Sequence, residues 1–267
     1  MKYEPIKERI SSIIGASHAL RKLFYAVLGI VLLRAWHVKR ELRRIHRADG
    51  FVDVLDAGCG LGQYSYYLVK KFGANVVGVD VLRSEVDRCV RFARAQRLGN
   101  LRFIEADLSS EDLSHVVAQS FDLVVSVDVM EHIRDDNAVF RNFAAVLREN
   151  GRVVISTPSS NDANEEEHSF IDEHFRSGYL PQEIKQKLEK AGLEVEKITF
   201  TYGFGGSIYW KLIMKIPITL LNKSMLFFFL LPFYYVVAFP IALSFMALDY
   251  FVPPKGGGGL LVVARRM

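Results

Sequence analysis

The sequence predicts an α/β fold built on a doubly wound, mostly parallel sheet, and three observations carry that expectation. Between Phe51 and Tyr202, short β-branched apolar runs alternate with longer helical patterns, as strands joined by crossover helices do. The runs are apolar with little alternation, which suits strands buried on both faces. Three of them end in order on glycines or carboxylates, at the place where ligands bind such sheets.

The chain has 267 residues, enough for one large domain or one domain with additions. With 50% apolar and 24% charged residues, disorder as the main state is excluded. Two cysteines, Cys59 and Cys89, give neither a disulfide framework nor a metal ligand set, so a reduced, intracellular compartment is expected. The net charge of +4 conceals a partition. Residues 1–50 hold 11 Lys/Arg against 4 Asp/Glu, residues 51–202 hold 17 against 25, and residues 203–267 hold 6 against 1. An acidic middle lies between two basic flanks. Such flanks suit nucleic acid or an anionic membrane. Here they are interleaved with aliphatic runs and carry no nucleic-acid module, which favours the membrane and disfavours nucleic acid.

Residues 1–48 read as a basic amphipathic helical segment. Its uncharged stretch, Leu23 to Leu33, is 11 residues, about half of the ~20 needed to span a bilayer, and it lacks the flanks of a signal peptide. Two readings fit. In one, a helix lies at the membrane interface with Trp36 and the Arg/Lys cluster at headgroup level; in the other it packs on the rest of the protein.

Residues 49–202 carry the sheet. VDVLDAG, NVVGVD, LRFIEAD, FDLVVSVD and GRVVIST read as five buried strands. The first ends in Asp56-Ala57-Gly58-Cys59-Gly60-Leu61-Gly62, a turn whose glycines permit a sharp bend and close approach of a ligand. The second ends at Asp80, 20 residues beyond Gly60, where a carboxylate can accept both ribose hydroxyls. The third ends at Asp107. A dinucleotide fingerprint places its third glycine one position later than Gly62. Leu193 to Thr201 and Gly259 to Arg265 read as two further strands, for seven in all.

VLDAGCGLG, the acidic VVGVD, the EADL turn and FDLVVSVDVMEHI together resemble the class I S-adenosylmethionine-dependent methyltransferases, in particular the group typified by ubiquinone-biosynthesis methyltransferases. That resemblance implies a Rossmann-like sheet whose last two strands form an antiparallel pair, and S-adenosyl-L-methionine as cofactor. It places Asp56, Gly58, Cys59, Gly60 and Gly62 around the methionine part, Asp80 and Val81 at the ribose, Asp107 and Leu108 at the adenine, and Val127 and Asp128 along the site. Some relatives bind a divalent cation through Glu-x-x-Glu-His after the fourth strand. This chain has Asp128, Glu131 and His132 there, with a shorter first side chain, and the expectation is no metal. Three roles stay open for Glu131 and His132: shaping the pocket, acting as base, or, with Asp128, holding a metal. The polar stretch after the fifth strand supplies another candidate base, His168, on what can fold as a lid.

Residues 203–258 interrupt the last two strands, and 259–267 resume the sheet. Ser224 to Leu248 is 25 residues without a charge, long enough to span a membrane. If both flanking strands belong to one sheet, however, the insertion must leave and return on the same side. Pro232 and Pro240 are expected to break the run into short pieces, so that it dips into one leaflet or forms a re-entrant hairpin. A buried cap over the site is the alternative. The reading that follows is methyl transfer, with oxygen favoured, to a lipophilic, membrane-derived acceptor at the cytoplasmic face of a membrane. Two others compete: a methyltransferase of a soluble small molecule whose apolar segment is a dimer interface, and a non-catalytic S-adenosylmethionine-binding membrane adaptor. Oligomeric state and acceptor atom stay open.

Overall fold

The computed structural model describes residues 17–110, 113–160, 175–252 and 254–267. Two helices lead in, α1 (His18–Val31) and α2 (Leu33–Ala48), separated by extended backbone at Leu32. Strands and helices then alternate. They run β1 (Asp53–Ala57), α3 (Gln63–Phe72), β2 (Asn75–Asp80), α4 (Arg83–Ala95), β3 (Leu101–Glu105), α5 (Leu113–Val117), β4 (Phe121–Val127), α6 (Asp136–Val146), β5 (Leu147–Pro158), α7 (Pro181–Lys190) and β6 (Leu193–Thr201). After β6 come α8 (Phe204–Trp210), α9 (Ile216–Lys223), α10 (Leu231–Phe251) and the last strand, β7 (Gly259–Arg266).

The seven strands form one sheet in the order β3-β2-β1-β4-β5-β7-β6, the doubly wound, mostly parallel sheet expected. Only β7 runs antiparallel to its neighbours, pairing Ile155 with Val262 on one side and Ile198 with Val262 on the other. Alternation along each strand divides the core between the two faces. Leu55, Val77, Val124 and Val153 pack with Phe140 and Leu188 on one face. Val54, Val76, Leu123 and Val154 pack with Leu42 and Leu68 on the other. Strand β5 starts four residues earlier than its apolar run suggests. The exposed Arg148-Glu149-Asn150 stretch forms an irregularity, with Asn150 at φ 60°, before the ladder resumes at Arg152.

Helix α2 is amphipathic, and the sheet takes its apolar stripe: Val38, Leu42 and Ile45 are buried against Phe51 and Val263. This half of the basic flank is therefore packed on the domain. Trp36 is half-buried, stacked edge-on against Tyr250 and donating to the carbonyls of Gly29 and Ile30. Helix α1 turns Arg21 and Tyr25 inward and leaves Leu20, Leu23, Val27 and Ile30 exposed.

The insertion is a helical hairpin. Helix α8, a π-helical turn (Lys211–Lys215) and α9 form the outgoing leg; a 3-10 turn (Met225–Leu230) reverses the chain, and α10 returns. Near the far end, Tyr234 and Tyr235 donate to the carbonyls of Leu212 and Ile213 at 2.7 and 2.9 Å. At the base, buried Asp249 accepts the backbone N–H groups of Gly205 and Gly206 at 3.0 and 2.7 Å, capping α8 from across the hairpin. The prolines do not divide α10 as the sequence suggested. Pro232 sits in its first turn, where an N–H is not needed, and the helix continues through Pro240 for 21 residues. The stretch Phe227–Phe251 is long and apolar enough to cross a membrane by length and composition, and little of it is buried. It is thus not a buried cap, because Phe233, Val236, Val237 and Ile241 face outward.

Asp249→Ala leaves two buried N–H groups at the hairpin base without an acceptor. The expected loss is about 2 kcal/mol of stability, read as a shifted urea midpoint, with Asp249→Asn losing less.

Candidate cofactor and acceptor site

The order of strands reverses at β1, between β2 and β4, and the crevice at their carboxyl ends is where such sheets bind ligands. The glycine turn follows β1 there. Gly58 and Gly60 lie at φ 77° and 49°, left-handed values that a side chain resists. The two differ in surroundings. A Cβ on Gly58 would stand 2.3 Å from a methyl of Val129, whereas one on Gly60 would meet no atom within 4 Å. Gly60 therefore presents bare backbone to open space, the cradle a bound cofactor needs. Gly62, also left-handed, ends the turn where α3 begins.

Asp80 holds that turn in place. Its carboxylate accepts the N–H of Gly60 at 2.8 Å through one oxygen and that of Leu82 at 2.9 Å through the other. Each oxygen retains a second lone pair for a ligand. Cys59 is buried, and both its N–H and that of Gly58 donate to Val79. A hydrogen bond with Cys89 that holds the proton on Cys59, together with burial, raises the Cys59 thiol well above its ordinary range. Asp56 is buried below and accepts the Ser65 hydroxyl at 2.5 Å; burial raises its carboxyl to about 6, against the lowering effect of that hydrogen bond. Val81 is exposed beside Asp80. Asp107, also exposed, accepts the N–H and hydroxyl of Ser109 at one oxygen. Leu108 differs from the sequence expectation, since its side chain belongs to the core and only its backbone is left to border a ligand.

Across the crevice, β4 ends at Val127 and the chain turns sharply. Asp128 has φ 55°, an uncommon conformation for a residue with a side chain and one associated with functional sites. Its carboxylate forms an ion pair of 2.7 Å with Arg34 of α2, each side chain about one-third exposed. The N–H of Arg34 donates to the Tyr202 hydroxyl at 3.5 Å. Burial raises the phenols of Tyr64 and Tyr202 above their ordinary range, opposed by the charge of Arg34, so both keep their protons. Behind Asp128, Glu131 is buried and accepts the Thr157 hydroxyl at 3.2 Å. Burial, and then the charge of Asp128, push its carboxyl up to about 8. His132, in the same 3-10 turn, is exposed. His168 lies outside the described residues. Asp128 is committed to Arg34, and among the described residues no three His, Cys, Asp or Glu side chains are grouped to hold a metal ion.

The reading of local motifs missed a second group, from the N-terminal helices. Buried Arg21 donates to the carbonyls of Leu61 and Arg88 at 2.7 and 3.0 Å, and Tyr25 also donates to Leu61. Helix α1 therefore clasps the glycine turn. No local signal marks Arg21 or Arg34, because each meets its partner only through the tertiary fold.

The Glu131 carboxyl has a sign-determined effect on stability. Its folded value, about 8, lies above the ordinary 4.5, so the folded state holds the proton more tightly. That contribution is complete below about pH 4.5 and is lost as pH rises to about 8, at up to about 1.4 kcal/mol per pH unit. Glu131→Gln should flatten the stability-pH curve in this window, and the variant should exceed the parent in stability above pH 8, as chemical denaturation at a series of pH values would measure.

Comparison with known proteins agrees with this geometry. Residues 49–212 match the family model for a methyltransferase domain. Over 103 residues the chain is 35% identical to phosphoethanolamine N-methyltransferase 1 of Arabidopsis thaliana, covering 39% of this chain and 20% of that protein. Over 109 residues it is 34% identical to a ubiquinone biosynthesis O-methyltransferase of Coxiella burnetii, covering 40% and 44% respectively. The matches thus span less than half of either relative. Among solved structures, geranyl diphosphate C-methyltransferase of Streptomyces coelicolor A3(2) has the same fold, with a TM-score of 0.56 over 86% of this chain and 77% of that one at 15% identity. Since the family model covers more than half of the sequence, and the sheet it requires is the one this sequence builds, the chain belongs to the class I S-adenosylmethionine-dependent methyltransferases.

Proposed function

We propose that the protein transfers a methyl group from S-adenosylmethionine to a lipophilic acceptor taken from the cytoplasmic face of a membrane, at oxygen in preference to nitrogen or carbon. The observation that carries this reading is the junction between site and hairpin. Arg34 faces Asp128, while the adjacent Leu33 is buried against Ala242 and Met246 of α10. Tyr202, at the same ion pair, is two residues from the start of α8. The acceptor end of the crevice therefore lies at the base of an exposed apolar hairpin. Exposed apolar surface of this size marks a membrane or protein contact, and the hairpin returns to the side it left, as a monotopic anchor does.

In this reading Gly58, Gly60 and Gly62 bare the backbone along the methionine part of the cofactor, and Asp80 uses its spare lone pairs for the ribose. Asp107 and the backbone of Leu108 border the adenine. When bound, the cofactor supplies a methyl group made electrophilic by its sulfonium. The chain's own work is alignment, exclusion of water and proton management. An oxygen acceptor releases one proton; Glu131, with its carboxyl raised to about 8, is largely protonated at neutral pH and receives that proton only in its ionised fraction, which grows as pH rises toward 8. His132, exposed, is the weaker candidate. The N-methyltransferase relative supports nitrogen as the second acceptor.

Calorimetry with S-adenosylhomocysteine tests the cofactor site. Asp80→Ala should weaken binding at least tenfold, about 1.4 kcal/mol. Gly60→Ala should abolish binding with a stability loss of only about 1 to 2 kcal/mol, whereas Gly58→Ala, which drives a Cβ into Val129, should destabilise the fold by more. Tight parent binding with no response to Asp80→Ala would remove that residue from the site. Methylation of a total lipid extract with labelled cofactor tests the acceptor: label in the organic phase is expected. Label confined to water-soluble products would favour the soluble-substrate reading, and cofactor binding without any labelled product would favour the adaptor.

A further inference from the structure

The outer face of α2 carries Arg40, Arg43, Arg44 and Arg47, spaced so that one side of the helix presents all four. With Lys197 of the edge strand β6 and Tyr250 at the end of α10, they line a groove of about 610 Å³. Its one acidic lining residue, Glu41, is buried and already saturated, paired with Arg44 at 2.6 Å and with Lys197. Five cations against one carboxylate leave the groove with a net charge of +4. Among the described residues neither Arg43 nor Arg47 joins an ion pair; Arg43 has only a 3.5 Å approach to the Tyr67 hydroxyl. The groove therefore has guanidinium groups to spare, and guanidinium forks bind phosphate oxygens in pairs.

Its position narrows the ligand. Arg40 donates to the Tyr250 carbonyl at 2.7 Å and stacks over the Tyr250 ring at 4.6 Å. The groove thus begins where α10 returns to the domain, beside the exposed side chains of Phe251 and Val252. With the hairpin in the hydrocarbon, the base of α10 lies at the depth of the lipid phosphates. We propose that this groove, distinct from the methyl-transfer crevice, binds the phosphate of an anionic phospholipid whose acyl chains lie along α10. The proposal rests on the membrane reading of the hairpin and adds a headgroup preference to it. Such a site would fix the rotation of the domain over the bilayer and so aim the crevice at the lipid surface.

The test is co-sedimentation of the full chain with two kinds of vesicle, phosphatidylcholine alone and phosphatidylcholine with a minor share of phosphatidic acid. The parent should bind both, the anionic vesicles more tightly. Arg43→Gln with Arg47→Gln should lower affinity for the anionic vesicles about thirtyfold and leave binding to the neutral ones unchanged. Arg91→Gln with Arg94→Gln, an equal loss of charge on the exposed side of α4, should have a much smaller effect. An equal loss in both variants would reduce the groove to diffuse electrostatics and overturn the proposal. So would displacement from anionic vesicles by millimolar inorganic phosphate at constant ionic strength, which would assign the groove to a free anion. Equal binding of the parent to both vesicles overturns the groove alone, whereas binding to neither overturns the membrane reading and the groove with it.

Discussion

Strand β7 pairs with two strands at once, Leu260 to Ala264 lying between Val153 to Thr157 of β5 and Val195 to Phe200 of β6. Its residues are buried on both faces of the sheet, so the sheet is incomplete until the chain has travelled out through the insertion and come back. This requirement shapes everything after β6. An insertion that must return to the neighbouring strand has an even number of legs, and the outgoing leg of α8, the π-helical turn and α9 with the returning 21-residue α10 satisfies it. The base is then fixed by short-range contacts: Asp249 across α8, Tyr209 to the carbonyl of Val31, and Leu33 into the small core with Met246.

The same contacts connect the hairpin to the crevice. The segment that buries Leu33 at the hairpin base presents Arg34 to Asp128 one residue later. Asp128 is held in a left-handed conformation by the exit from β4, with its N–H given to Ser156 of β5. A displacement of the hairpin base would therefore reach the acceptor end of the crevice within one helical turn. The cofactor end is insulated from that motion, because Asp80 and Arg21 fix the glycine turn through backbone groups. A glycine turn fixed through its backbone at one end and an exposed hairpin at the other suit a fixed cofactor and an acceptor that must enter from outside.

Much of the fold and the cofactor cradle was legible in the sequence because both depend on local chemistry. Buried parallel strands declare themselves as apolar runs, and a left-handed turn against Val129 admits only glycine at Gly58. The acceptor end was legible only in part. Asp128 and Glu131 stand in a motif, but their partners Arg34 and Thr157 come from two separate elements, and Tyr202, which accepts from Arg34, from a third. Arg21 and Arg34 read as members of a basic flank, and nothing nearby in sequence separates them from Arg43 or Arg47. Pro240 misled for a physical reason: a proline removes one hydrogen bond and kinks a helix, yet packing of Ala238, Ala242 and Met246 on both sides of it keeps α10 continuous.

The basic N-terminal flank, which as a charge count suggests a single attraction to an anionic surface, is divided by the fold among three tasks. Arg21 is withdrawn from solvent to hold the glycine turn, where its charge is spent on carbonyl oxygens and on the face of Phe92 at 4.7 Å. Arg34 is opposed by Asp128. The ridge from Arg40 to Arg47 keeps a surplus of positive charge because Glu41, the acidic residue of the groove, is already paired twice. Long-range attraction falls off within a Debye length of about 8 Å at physiological ionic strength. On the membrane reading proposed above, the charges that act on a bilayer are therefore those beside the hairpin base, while Arg21 and Arg34 are committed to contacts within the protein.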